Sequence, residues 1–90
     1  MAEQAKYKRA ELAAFLESQG ADRAAARAAA TDIATAWNDR YFFRSYTHKP
    51  LEKCVIACPG LTCTADELLE RLVRRFEVFV RDVPQWEPER

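Results

Sequence analysis

The residues best suited to metal or thiol chemistry are a histidine and three cysteines in the middle of the chain. His48, Cys54, Cys58 and Cys63 could supply the four ligands of a Cys3His zinc site. The Cys-x3-Cys-x4-Cys spacing, however, matches neither a zinc knuckle nor a familiar iron–sulfur run. If Cys54 and Cys58 lie on a strand, they are about 13 Å apart, too far for a shared ion or a disulfide. We therefore expect reduced, buried thiols without a metal or other cofactor, and the zinc site is a weaker alternative.

Cys63 is the thiol whose position is most favourable for nucleophilic chemistry. It lies just before a predicted helix, and the positive end of a helix dipole stabilises a thiolate. Catalysis also needs a base, and His48, the only histidine, has no acidic partner at a diagnostic spacing. The chain contains no phosphate loop, serine elbow or metalloprotease motif. We therefore expect no enzymatic activity and interpret His48 as a turn residue.

The strongest structural signal lies in residues 62–83, TCTADELLERLVRRFEVFVRDV. Thr64 and Glu67 have the spacing of a capping box, and Pro84 cannot continue a helix, so the sequence predicts a helix near 65–82. Apolar residues recur at helical spacing and predict one buried face, formed by Ala65, Leu68, Leu69, Leu72, Val73, Phe76, Phe79, Val80 and Val83.

Two further helices are predicted near 7–19 and 23–39. Gly20 favours a left-handed end to the first helix, and Asp22 is suited to cap the second. The second helix should face the core with Ala26, Ala29, Ala30, Ile33 and Trp37. The three helices should share a core centred on Phe15, Ile33, Trp37, Leu68, Leu72, Phe76 and Phe79. We expect residues 1–6 and 84–90 to be flexible or ordered by a partner.

The segment between the second and third predicted helices breaks the helical period. Residues 41–46 alternate in polarity, and residues 53–58 form a short run with β-branched side chains before the turn pair Pro59-Gly60. This pattern predicts a small β-hairpin. The alternative is that the second helix continues through Tyr41 and Arg44, which lie on the same helical stripe as Ile33 and Trp37.

The three predicted helices make the expected fold mainly α. Length and composition predict a small single domain spanning residues 1–90, because 90 residues with 49% hydrophobic content suffice for one modest core. The formal net charge is zero, which disfavours nucleic-acid binding because phosphate contacts usually require a basic excess. No apolar stretch approaches the roughly 18 residues of a membrane span. The charged start of the sequence is unlike a secretory signal, so we expect a cytoplasmic protein.

The two leading helices, residues 7–39, also have the order of a DNA-binding helix-turn-helix. A recognition helix needs long polar side chains on its outer side, and this one offers mainly alanines with Arg23 and Arg27. A DNA-binding regulator is therefore the second hypothesis.

The stretch CPGLTCTADELLERLVRRF resembles the Cys-Pro loop and following helix of Tai-type immunity proteins, which protect bacteria from toxins secreted by rivals. The resemblance covers less than a third of the chain. That family is exported and disulfide-bonded, whereas this sequence has an odd number of cysteines. No site is transferred from the family.

The function predicted by elimination is a small non-enzymatic protein-interaction module, such as an adaptor, an inhibitor or an immunity-type protein. On a helical wheel Val78 lies opposite the core face, so this face is either an exposed docking surface or a solvated face with one tolerated valine. We expect the partner-binding residues to be Arg71, Arg74, Arg75, Val78, Arg81 and Trp86, together with the loop aromatics Tyr41, Phe42 and Tyr46. The arginines favour an acidic protein partner, and a homodimer is a further option.

Overall fold

The computed structural model describes residues 2–37 and 41–81. The chain order is α1 (Ala2–Ser18), α2 (Arg23–Ala36), β1 (Tyr41–Phe43), α3 (Arg44–Ala57), α4 (Ala65–Phe76) and β2 (Phe79–Arg81). Consecutive helices pack on one another, and the two strands pair beside them. The predicted mainly α fold class is confirmed, with a fourth helix in place of the expected hairpin.

The turn between α1 and α2 agrees with the sequence prediction, but the start of α1 and the end of α2 differ from it. Gly20 has a φ of +115°, and the amide of Ala21 donates to the carbonyl of Leu16 at 3.1 Å, as expected for a left-handed helix end. A Cβ on Gly20 would lie 3.2 Å from the carbonyl oxygen of Gly60, so the turns before α2 and α4 approach closely here. Helix α1 begins at Ala2 rather than near residue 7.

Helix α2 ends at Ala36, earlier than either sequence interpretation expected. Trp37 has an extended backbone, with φ −78° and ψ 122°, so the helix does not continue to residue 39 or through Tyr41 and Arg44. The helix ends where the Trp37 ring packs on Phe42 and Phe76, with centroid distances of 4.7 and 5.0 Å. The aromatic contacts therefore override the helical period.

The predicted β-hairpin over residues 41–58 is wrong, because only Tyr41–Phe43 is a strand there and Arg44–Ala57 forms α3. The buried residues of α3 and its C-cap have helical spacing: Thr47, Pro50, Leu51, Cys54 and Cys58. Pro50 lies inside the helix and cannot donate to the carbonyl of Tyr46. The β-branched pair Val55 and Ile56 was a misleading signal, since tertiary packing decides whether such short runs form a strand or a helix.

Helix α4 begins as predicted and ends earlier. The Thr64 hydroxyl accepts from the Glu67 amide at 3.1 Å, and the Glu67 carboxylate accepts from the Thr64 amide at 2.9 Å, which confirms the capping box. The helix stops at Phe76 instead of residue 82 because Glu77 adopts the left-handed conformation, with φ 55° and ψ 53°. The amides of Glu77 and Val78 both donate to the carbonyl of Val73, at 2.7 and 3.3 Å.

The two strands form a parallel pair in which Tyr41, Phe42 and Phe43 lie beside Phe79, Val80 and Arg81. Side chains alternate across such a pair, so Phe42 and Val80 share one face while the other four residues share the opposite face. Phe42 is completely buried. The face that contains Phe42 therefore packs on the helices, and the other face points outward.

The core lies between the four helices and the inner face of the sheet. Its largest completely buried side chains are Leu12, Leu16, Ile33, Phe42, Leu51, Leu68 and Leu72. Three of the expected core residues, Phe15, Trp37 and Phe76, pack against it while partly buried, and Phe15 contacts Phe76 edge-on. The prediction that Phe79 is a core residue is wrong, because its side chain is 72% exposed. None of the described helices has both the length and the apolar character needed to cross a membrane.

The left-handed residue that ends α4 generates a stability prediction. Glu77→Gly should raise the free energy of unfolding by about 0.5–1 kcal/mol, because glycine adopts this conformation without the steric cost of a Cβ atom. Glu70→Gly, at an exposed position inside α4, is the matched control and should lower it by about 1 kcal/mol. Urea unfolding measures both changes. If Glu77→Gly destabilised as much as Glu70→Gly, residue 77 would lie inside a longer helix.

Candidate functional site

The three cysteines are free thiols that are buried at the contact between α2, α3 and the loop before α4. Cys54 and Cys58 are four residues apart, at the end of a helix, and therefore lie on the same side of it. The sulfur of Cys58 accepts a hydrogen bond from the amide of Asp22 at 3.3 Å. This contact links the start of α2 to the end of α3. The side-chain cap expected from Asp22 is absent, because its carboxylate makes no capping hydrogen bond.

His48 lies within α3, so its interpretation as a turn residue is wrong, and it lies apart from this thiol cluster. Its Nε2 atom is 3.2 Å from Oδ1 of Asp66, so the histidine of α3 pairs with the first turn of α4. No three His, Cys, Asp or Glu side chains in residues 2–37 and 41–81 are arranged to hold a metal ion. The structure therefore does not assemble the alternative zinc site of His48, Cys54, Cys58 and Cys63. Sequence inspection missed Asp66 because the pair joins two helices at no fixed spacing.

The environment of Cys54 keeps its thiol neutral. The pKa of Cys54 is raised from its usual 9.0 to about 11, mainly by burial, and the negative charges that Cys58, Asp22 and Cys63 carry when ionised contribute to this rise. A hydrogen bond with Cys58 adds to this effect. Since the thiolate is the reactive form, Cys54 is a poor nucleophile near pH 7.

This raised pKa makes stability depend on pH in the alkaline range. The folded state holds the Cys54 proton more tightly than the unfolded state, so the stabilisation is fully present below about pH 9 and is lost as the pH rises through about 11. The loss should be on the order of 1–3 kcal/mol. We expect the alkaline fall in the free energy of unfolding to be smaller in Cys54→Ala than in the parent.

The matched control is Cys63→Ala, which removes another buried thiol and leaves Cys54 in place. It should keep most of the alkaline fall. Equal pH dependence in the parent and in Cys54→Ala would show that other groups cause it.

The most exposed aromatic surface of the described chain lies on the outer side of the two-stranded sheet. We call it the aromatic sheet face, and its members are Tyr41, Phe43, Tyr46, Phe79 and Arg81. The Phe43 ring makes edge contacts to Tyr41 and Tyr46, with centroid distances of 5.1 and 5.9 Å. Phe79 lies beside Tyr41 in the strand register. The Arg81 guanidinium lies 5.0 Å from the centroid of the Tyr41 ring.

The members of this face differ in how far they are already covered. Phe43 is only 7% exposed because its two tyrosine neighbours shield it, whereas Tyr46 is 39% and Phe79 72% exposed. Phe79 therefore gains most from a covering surface, since full burial of a phenylalanine side chain is worth roughly 1.5–3 kcal/mol.

Only part of the predicted docking surface is brought together. Tyr41, Tyr46 and Arg81 belong to the aromatic sheet face, but Phe42 is buried on the inner side of the strand. Val78 is also buried, at 9% exposed, because the turn at Glu77 directs it toward the core instead of outward along a helix. The expectation that both are exposed is wrong. Trp86 lies outside the described residues.

The remaining predicted arginines lie on α4. Arg71 donates to the Gln19 side chain at 2.8 Å, and the Arg75 guanidinium stacks 4.8 Å from the Phe76 ring centroid. Arg74 lines a groove with a volume of about 480 Å³ between α4 and β2. The apolar lining of this groove is Leu69, Val73 and Val80, and its polar lining is Arg44, Asp66, Glu70 and Arg74. We call it the β2 groove.

Phe79 is the principal surface residue that sequence analysis misassigned. Its spacing from Leu72 and Phe76 continues the apolar stripe of α4, which placed it in the core. The signal that favours the observed strand is the run Val78-Phe79-Val80, which is rich in residue types with high β propensity.

Comparison with known proteins does not place the chain in a family. No protein-family model matches the sequence. Searches of curated proteins and of solved structures also found no significant match. The functional inference therefore depends on the geometry of this chain alone.

Proposed function

We propose that the chain is a small non-enzymatic protein-interaction module that binds a partner protein through the aromatic sheet face. The observation that supports this most directly is Phe79, a large apolar side chain held 72% exposed on a strand. A single exposed apolar residue is common on protein surfaces. Here, however, it lies beside Tyr41, whose ring contacts Phe43, and Phe43 in turn contacts Tyr46, so the aromatic side chains form one connected group on this face.

The composition of this face is typical of protein-protein interfaces. Aromatic residues and arginine are enriched at such interfaces and are frequent among the residues that dominate binding energy. Tyr41 and Phe43 are already ordered by edge contacts, so binding would cost little side-chain entropy there. Arg81 adds an exposed positive charge above the Tyr41 ring and favours a partner with an acidic group at that position.

In this proposal the cysteines and His48 have a structural role. The buried thiols pack and hydrogen-bond between helices, and His48 joins α3 to α4 through Asp66. Reduced thiols are also the usual state of cysteine in the cytoplasm, which supports a cytoplasmic site of action. An adaptor, an inhibitor or an immunity-type protein would each work through such a docking face.

Affinity capture with two matched variants tests the proposal. Phe79→Asp places a charge in the aromatic sheet face, whereas Ile56→Asp makes the same change at another exposed apolar residue, 76% exposed and near the end of α3. Arg44 is the first residue of α3 and directly follows β1. Ile56 lies about 18 Å from Arg44 along the helix axis, at 1.5 Å per residue, and is therefore remote from the aromatic sheet face. Both variants should keep the melting temperature of the parent within a few degrees, because neither side chain is buried.

We expect the parent and Ile56→Asp to capture the same protein partner, quantified by mass spectrometry, and Phe79→Asp to recover it at least about tenfold less efficiently. Equal recovery by both variants would contradict binding through this face. Capture of nucleic acid that is unaffected by Phe79→Asp would instead favour the DNA-binding hypothesis.

A further inference from the structure

We infer that the partner adds an extended strand to the open edge of β2, with one apolar side chain entering the β2 groove and an acidic side chain facing Arg81. The inference rests on the proposed function and specifies the kind of partner segment that the face accepts.

One edge of β2 has no neighbouring strand among the described residues. Within residues 2–37 and 41–81 the sheet contains two strands, so β2 has β1 on one side and no described strand on the other. The outward backbone amides and carbonyls of such an edge can pair with an added strand. A sheet of two three-residue strands also has little stability of its own, and a third strand would add both hydrogen bonds and side-chain contacts.

The two edges of the sheet are not equivalent. Strand β1 runs directly into α3, Phe43 is the N-cap residue of that helix, and α3 packs against β1. A strand added beside β1 would compete with this helix for space. The edge of β2 is therefore the one that we expect a partner strand to join.

The side chains of β2 define what the added strand should carry. Phe79 and Arg81 point to the outer face, while Val80 points to the inner face and lines the β2 groove with Leu69 and Val73. Residues of a partner strand alternate in the same way. The residue beside Val80 would enter this apolar part of the groove, and its two neighbours would contact Phe79 and Arg81.

The positive charge of Arg81 favours an acidic residue beside it in the partner strand. The polar lining of the β2 groove contains two arginines, Arg44 and Arg74, and two carboxylates, Asp66 and Glu70, so it gives little preference for either sign of charge. The outer face carries Arg81 as its charged member, exposed above Tyr41. The expected partner motif is therefore apolar, apolar and acidic in three successive positions, or the reverse order if the strand is antiparallel.

Selection from a phage-displayed library of random nine-residue peptides tests this inference, with the full chain as bait and Phe79→Asp for counter-selection. We expect enrichment of the apolar-apolar-acidic motif in one of its two orders. The affinity of a synthetic enriched peptide, measured by fluorescence anisotropy, should fall at least about tenfold with Arg81→Glu and change little with Arg71→Glu. Arg71 is a matched control because it is an exposed arginine on α4, hydrogen-bonded to Gln19.

Backbone methylation of the peptide distinguishes strand addition from side-chain docking alone. In an edge strand successive amides point alternately toward and away from the sheet. N-methylation should therefore weaken binding by about tenfold or more at one of two adjacent residues and by less than about threefold at the other. Equal sensitivity at both residues, or failure to enrich any Phe79-dependent peptide, would overturn the inference.

Failure of this inference is distinguishable from failure of the proposed function, because protein capture that depends on Phe79 could still occur without strand addition. Sedimentation of the parent and of Phe79→Asp provides the remaining check. If the parent formed a dimer that Phe79→Asp dissociates, a second copy would occupy the edge, and the inference of a separate partner strand would be wrong.

Discussion

The left-handed turn at Glu77 is the constraint on which the surface of the molecule depends. It ends α4 one residue after the last aromatic contact of the helix, and it turns Val78 into the core. The chain then returns as β2, in parallel register with β1. Without this turn Phe79 would continue the apolar stripe of α4. Because of it, the same phenylalanine lies on the outer side of a sheet, beside Tyr41.

The elements that the sequence predicts correctly are those with local causes. The capping box of Thr64 and Glu67, the left-handed Gly20 and the helical stripe of Leu68 and Leu72 involve residues within one or two turns of each other. Such signals require no knowledge of the rest of the chain. They were enough to define a mainly helical domain and the start of α4.

The sequence predictions are wrong where contacts with residues of other elements decide whether a segment is helical or extended. Trp37 leaves the helical conformation to pack on Phe42 and Phe76, and the strand of Phe79 exists only beside Tyr41. An apolar stripe cannot show where a helix ends, because a strand that follows can continue the same spacing. For the candidate site, the sequence indicated Tyr41, Tyr46 and Arg81 but not their shared face, which depends on strand register.

The pairing of β1 with β2 also has a consequence for how the domain folds. Tyr41 and Phe79 are about 40 residues apart, so their pairing closes a long loop for only three residues of ladder. The helices contain mainly local contacts and can form and pack earlier. We expect the sheet to be the last element to close and the first to open in local fluctuations. An opened sheet would leave the helical core in place while the aromatic sheet face is lost, so the proposed binding would select the fully folded chain from a slightly broader native ensemble.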